Sequence, residues 1–141
     1  MMDAFISMEA QQALRAIKSI APGKSVSGLL IGHKRGRRFV VERAFPAPAG
    51  FKPSLKSLHL LDGIFEGKII GFFQFHSDEK KERAFLQPSA CGKFFLAIDS
   101  LPSGQSLLIG CLIDYDGRFE LEPILVTMEE PRAKAKDETP S

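Results

Sequence analysis

The sequence predicts an α/β (α+β) fold, a curved mixed β-sheet flanked by helices. Three observations carry this reading. A segment near the N-terminus has helical spacing of its apolar residues. Two pairs of apolar runs flank short polar turns, as the arms of hairpins do. One run, Lys68 to His76, is nearly continuous in apolar residues, the pattern of a strand buried on both faces. Such a sheet needs cover on both sides, and helices packed on it are the economical solution.

The elements follow in order. Ser7 to Ile20 is read as an amphipathic helix, with Ser7 as cap, Glu9 in the first turn, and Ala10, Leu14 and Ile17 on one face. Ala21-Pro22-Gly23 stops it. Val26 to Ile31 and Arg38 to Ala44 are two strands of a hairpin around Gly32 to Arg37. Pro46 to Pro53 is a loop. Pro53 to Phe65 is a short second helix, with Leu55, Leu58 and Leu60 or Leu61 inward. After the central strand, Ser77 to Gln87 is a polar loop. Pro88 and Ser89 open a third helix near Ala90 that carries Phe94, Phe95 and Ala97-Ile98. Ser106 to Asp114 and Phe119 to Val126 form a second hairpin, because Asp116-Gly117 is a strong turn signal. Residues 1–127 are thus read as one domain. From Met128 the chain is rich in Glu, Lys and Pro without apolar period, so 128–141 is read as a disordered tail.

Composition removes several function classes. At 141 residues the chain has the length of one domain, and 44% hydrophobic with 26% charged residues is globular. A net charge of +2 is too small to argue for nucleic acid. No apolar run approaches the roughly 20 residues of a bilayer crossing, so no membrane partner is expected. The N-terminus lacks the pattern of a signal peptide. Two cysteines, Cys91 and Cys111, cannot build a disulfide framework. The expected setting is the cytoplasm, with reduced thiols.

Three segments, in this order, resemble the MPN or JAMM (JAB1/Mov34/PAD-1) family. Gly28-Leu29-Leu30-Ile31-Gly32 is similar to the family's Gly-Leu-Leu-x-Gly strand. Val40-Val41-Glu42-Arg43, leading to Ala44-Phe45-Pro46, is similar to its second strand and following loop. Ile70-Gly71-Phe72-Phe73-Gln74-Phe75-His76, then Pro88-Ser89-Ala90-Cys91-Gly92, resembles Gly-Trp-Tyr-His-Ser-His followed by Pro-Ser-x-x-Asp. The resemblance spans roughly residues 5 to 126, and it implies the curved MPN/JAB-like sheet, which is similar to the cytidine-deaminase architecture.

In enzymes of that family, the resemblance implies, two His and one Asp hold a zinc whose fourth position carries water. A Glu takes the proton, a Ser helps stabilise the oxyanion, and the metal lowers the water's pKa. Here the Glu position is Ser25, whose hydroxyl is no general base at neutral pH. The first His is Gln74, a poor zinc ligand. His76 and Ser89 are kept. The Asp position is Gly92, which has no side chain. One ligand of three remains, so the expectation is a degenerate motif with no catalytic residue, no metal and no cofactor. A site rebuilt from His76 with Asp78, Glu79 or Cys91 is the alternative, and it would restore zinc-dependent peptidase or isopeptidase chemistry. Cys91 is also weighed as a thiol partner of His76, and Cys111 is assigned to the core.

The functional expectation is an inactive MPN/JAB-like module that binds a protein or peptide, by strand addition to a sheet edge. A homo-oligomer is compatible with the sequence. A weaker alternative is contact with an acidic partner or RNA through the basic turn Lys34, Arg35, Arg37 and Arg38. His33 and His59 have no ligand-like neighbours in sequence.

Overall fold

The computed structural model describes residues 2–20, 26–47, 53–76, 78–100, 103 and 105–130, with the backbone alone for Glu79 and Ser100. The fold is mixed α+β. The strands are β1 (Asp3–Ile6), β2 (Ser27–Arg35), β3 (Arg38–Pro46), β4 (Ile69–Phe75), β5 (Phe94–Ser100), β6 (Ser106–Tyr115), β7 (Phe119–Pro123) and β8 (Leu125–Met128). The helices are α1 (Met8–Ile20), α2 (Leu55–Phe65) and the short α3 (Glu79–Arg83), with a single 3-10 turn at Pro88–Ala90. Among the described residues, eight strands form one curled sheet in the order β7-β6-β5-β4-β2-β3-β1-β8.

β4 lies near the middle, antiparallel to β2 and parallel to β5. Its alternation feeds two cores. Phe73 and Phe75 join Leu30, Phe39, Val41, Phe94, Leu96 and Ile98 on the concave side, where Ala10, Leu14 and Ile17 of α1 close the space. Phe72 joins Leu29, Phe85, Phe95 and Ile113 on the other side, with Leu58 of α2 over it. Each buried Phe or Leu contributes about 1.5–3 kcal/mol by leaving water. The double-sided burial of the central strand is as its apolar run implies.

Two irregularities keep this alternation in phase. The β2–β3 register shifts between Ile31 and Gly32, passing from Arg43 to Val41 and leaving Glu42 as the extra residue. That bulge lets Phe39, Val41 and Ala44 all face the same core although their spacing is uneven. The β2–β4 register shifts between Leu30 and Ile31, leaving Ile70 as the extra residue.

α1 follows the sequence closely. Ser7 Oγ accepts the N–H of Ala10 (3.1 Å), capping the helix one residue before its first turn. The first hairpin also forms, but its strands are longer than their apolar cores. Only Gly36 and Arg37 form the turn, with Gly36 at φ +62. Basic residues on both arms had hidden the strand ends.

Several expectations are corrected. Phe94 to Ser100 is a strand rather than part of a helix, because the 3-10 turn is ended at Gly92 (φ +85) and the aromatic run pairs with β4 and β6. Ser77 to Gln87 is not all loop, since Asp78 Oδ1 accepts the N–H of Lys81 (2.8 Å) and caps α3. In α2 only Leu58 is buried, Leu61 is half-buried, and Leu55 and Leu60 are 78% and 63% exposed. The strand expected from Phe119 to Val126 is broken at Ile124. β7 pairs with β6, while β8 crosses to pair in parallel with β1, a strand with no signal of its own. Met128 therefore ends a strand and does not begin a tail. Glu129 is tied down as well: its carboxylate accepts the N–H of Met8 (2.7 Å), its carbonyl accepts Gln11 Nε2 (2.8 Å), and its N–H donates to Ile6 (2.9 Å). Residues 131–141 lie outside the described residues.

Gly32 sits where the β2–β3 bulge brings the Val40 carbonyl against its Cα, so a methyl group there meets backbone. Gly32→Ala is therefore expected to lower stability by about 2–4 kcal/mol, measured by urea unfolding. A change under about 0.5 kcal/mol would show that the bulge is free to relax.

Candidate functional site

The first family-like segment and the start of the third fall on the central strands β2 and β4. Gly28 to Gly32 lies on β2, directly beside β4, with Ser27 opposite Gln74 and Gly28 opposite Phe73. Both glycines of that motif are places of close backbone approach. A Cβ on Gly28 would meet the Phe45 carbonyl and the Phe73 ring, and one on Gly32 would meet the Val40 carbonyl. Packing accounts for the Gly-Leu-Leu-x-Gly pattern here without any catalytic role. Ser25 lies outside the described residues.

Gln74 and His76 end β4. Gln74 is 4% exposed, and its Nε2 donates to the carbonyls of Phe75 (2.8 Å) and Val26 (3.4 Å). A buried amide must be satisfied, and the nitrogen of this one donates to backbone oxygens. His76 is half-buried and has φ +54, the left-handed region that His tolerates better than most non-glycine residues. Its N–H donates to Ile98 (2.9 Å), and its carbonyl accepts Lys81 Nζ (2.7 Å). The backbone of His76 thus terminates β4 and anchors α3.

Asp78 does not turn toward His76 as a ligand. It caps α3 and faces Lys81 Nζ at 3.7 Å. The hydrogen bond from the Lys81 N–H, with the Lys81 charge beside it, holds its carboxyl below the ordinary aspartate value. The side chain of Glu79 lies outside the described residues.

Ser89, Cys91 and Gly92 are at the other end of the sheet. β4 and β5 run parallel with Gly71 opposite Phe94 and Phe75 opposite Ile98. Gly92 therefore lies level with the start of β4, and His76 lies past its end. At about 3.3 Å per residue the two are on the order of 20 Å apart along the strands. Ser89 Oγ donates to the Pro53 carbonyl, and the N–H of Gly92 donates to Ile113 (2.7 Å). The expectation that Cys91 could join His76, as ligand or as thiol partner, is overturned by this parallel register. Among the described residues no group of three or more His, Cys, Asp or Glu is arranged to hold a metal.

The remaining candidates are surface features. His33 Nδ1 lies 3.3 Å from Glu42 Oε1, and His59 is exposed on α2. In the basic hairpin, Arg38 makes a two-pronged contact with Asp3 (3.1 and 2.9 Å), and Lys34 lies over the Phe39 ring at 5.5 Å from its centroid. That leaves Arg35 and Arg37 as the exposed tip. No described helix is long and apolar enough to cross a membrane.

Sequence reasoning missed one concave feature. A groove of about 450 Å³ lies between α1 and the curled sheet, lined among others by Leu14, Arg15, Lys18, Phe75, Ile98 and Leu108. Its parts come from both ends of the chain, so no local pattern announces it.

Two outcomes test this geometry. At the φ of His76, Gly is free of the strain that Ala carries, so His76→Gly is expected to be more stable than His76→Ala by about 1 kcal/mol in thermal unfolding. The reverse order would show that the left-handed turn is absent. Cys91 is exposed, while burial, with Glu82 nearby, pushes the Cys111 thiol above its ordinary value. One thiol per chain should react rapidly with a disulfide reagent in the folded protein, and the second only on unfolding; two fast thiols would contradict the buried position of Cys111.

Comparison with known proteins agrees with the fold and is silent on chemistry. No family model matches the chain, and no curated protein does. Among solved structures, a protein from Desulfitobacterium hafniense, determined in solution as a structural-genomics target, is similar with a TM-score of 0.66. The likeness covers 91% of this chain and 94% of that one at 17% identity. At that identity it is a likeness of fold alone.

Proposed function

We propose that this chain is a catalytically inactive MPN/JAB-like module that binds a protein or peptide. The observation that carries the reading is Gln74. It stands where the family pattern has its first zinc-binding His, and its buried side chain donates through Nε2 to the carbonyls of Phe75 and Val26. A neutral amide so engaged serves strand packing better than metal binding. The parallel β4–β5 register adds to this, since it sets Gly92, at the pattern's Asp position, far from His76. The curled mixed sheet, with α1 on its concave side and α2 on the other, suits the same reading. So does the adjacency of β2 and β4, which carry the first and third family-like segments. What such a module offers a partner is sheet edge and groove.

Zinc content tests the proposal. After incubation with excess zinc and exhaustive dialysis, the protein is expected to hold well under one equivalent by elemental analysis. His76→Ala should leave that content unchanged. One chelator-removable equivalent that disappears in His76→Ala would overturn the reading in favour of a rebuilt metallopeptidase site.

A further inference from the structure

The curled sheet almost closes on itself, and where it fails to close it leaves a seam. At Ile124, where the chain passes from β7 to β8, the N–H donates to the Gly110 carbonyl on β6 (3.0 Å). Beyond that point no ladder joins β6 and β8 among the described residues, although the Val126 side chain still packs against Gly110. β7 pairs with β6 only from Cys111 to Tyr115, so Ser106 to Ile109 have β5 on one side and no ladder on the other among the described residues. Among the described residues β8 pairs with β1 alone.

The direction of the unpaired groups follows from strand alternation. On β6 the Gly110 carbonyl points to the seam while Ile113 exchanges bonds with the β5 side, so Ser106 and Leu108 point their N–H and C=O into the seam. On β8 the Ile124 N–H points to β6 while that of Glu129 points to β1, so Val126 and Met128 point theirs into the seam. Two strand edges thus face each other with main-chain donors and acceptors that have no protein partner among the described residues. Backbone groups of this kind are a template for an added strand.

The groove between α1 and the sheet is this seam: Ser106, Leu108 and Met128 line it, with Phe75 and Ile98 below and α1 above. Among the described residues the charged side chains lining it are Arg15 and Lys18, and no carboxylate does so. Among the described residues neither cation makes an ion pair. Glu129, the nearest acid along β8, is held at the opposite end of α1 by the N–H of Met8.

We propose that the seam binds one extended, acidic segment of a partner protein, which adds a strand along the Ser106–Ile109 edge and sets its carboxylates against Arg15 and Lys18. The proposal rests on the binding-module reading and names where and what the module binds. Main-chain pairing supplies the fit, apolar side chains of the segment meet Phe75, Ile98 and Leu108, and charge selects the sign of the segment.

The test is an amide-resolved titration of the full chain with a short synthetic peptide of alternating valine and glutamate. Saturable shifts confined to Ser106–Ile109, Val126–Met128 and the side of α1 that carries Arg15 and Lys18 are expected, with slowed hydrogen exchange at Leu108. The same peptide with lysine for glutamate should not bind. Arg15→Glu with Lys18→Glu, two changes on the accessible side of α1 whose spectrum reports retained folding, should weaken the glutamate peptide at least about tenfold. Absence of shifts at millimolar peptide, equal binding of both peptides, or filling of the seam by a second copy of the chain overturns the proposal. Shifts at the outer edge of β7 would also overturn it, while leaving the binding-module reading in place. A zinc equivalent held through His76 would remove that reading without altering the seam titration.

Discussion

The molecule depends on one strand being buried from both sides. β4 puts Phe72 and Phe73 on opposite faces at full burial, and a core is built on each of those faces. Concave-side residues call for α1 as a lid. The opposite face calls for Leu58 of α2 and Phe85, just after α3, as cover. A strand buried on both faces also needs ladder partners on both edges, because an unpaired N–H or C=O in that position costs about 1–3 kcal/mol. β2 and β5 meet that need, and through them the sheet grows outward in both directions.

The same constraint shapes the residues that look catalytic. At the end of β4 a polar side chain has few places to go, and Gln74 turns back onto carbonyls beside it. His76 takes a left-handed backbone that ends the strand and lets its carbonyl receive Lys81. The segment from Pro88 to Gly92 must then travel back to the start of β4, because β5 is parallel to it. α3 and the 3-10 turn make up that crossover. A return of this length carries Ser89, Cys91 and Gly92 away from His76 by necessity of topology.

Curvature has a consequence of its own. A sheet that twists and curls around α1 brings its sixth and eighth strands together, with Val126 packed against Gly110, but among the described residues the backbone bond that joins them is the one from Ile124 to Gly110. One closing bond, with no ladder beyond it among the described residues, is what leaves polar edges beside an apolar floor. The polar seam and the packed core are products of the same curl.

Local pattern in the sequence determined the elements whose signals are self-contained. The spacing of Ala10, Leu14 and Ile17 marks α1, Ser7 marks its start, and the apolar run to Phe75 marks a strand with two buried faces. That Gln and Gly stand at 74 and 92, where the family resemblance would put a liganding His and Asp, was equally legible. What the sequence could not hold was decided by pairing between distant segments. Asp3–Ile6 and Leu125–Met128 are too short to signal as strands, and they exist because each completes the other's ladder. Phe94 to Ser100 became a strand because the open edge of β4 was worth more than helical propensity after Ala90. The separation of His76 from Cys91 follows from a parallel register, a property of two strands and not of either one. The seam follows from curvature, which no single segment encodes.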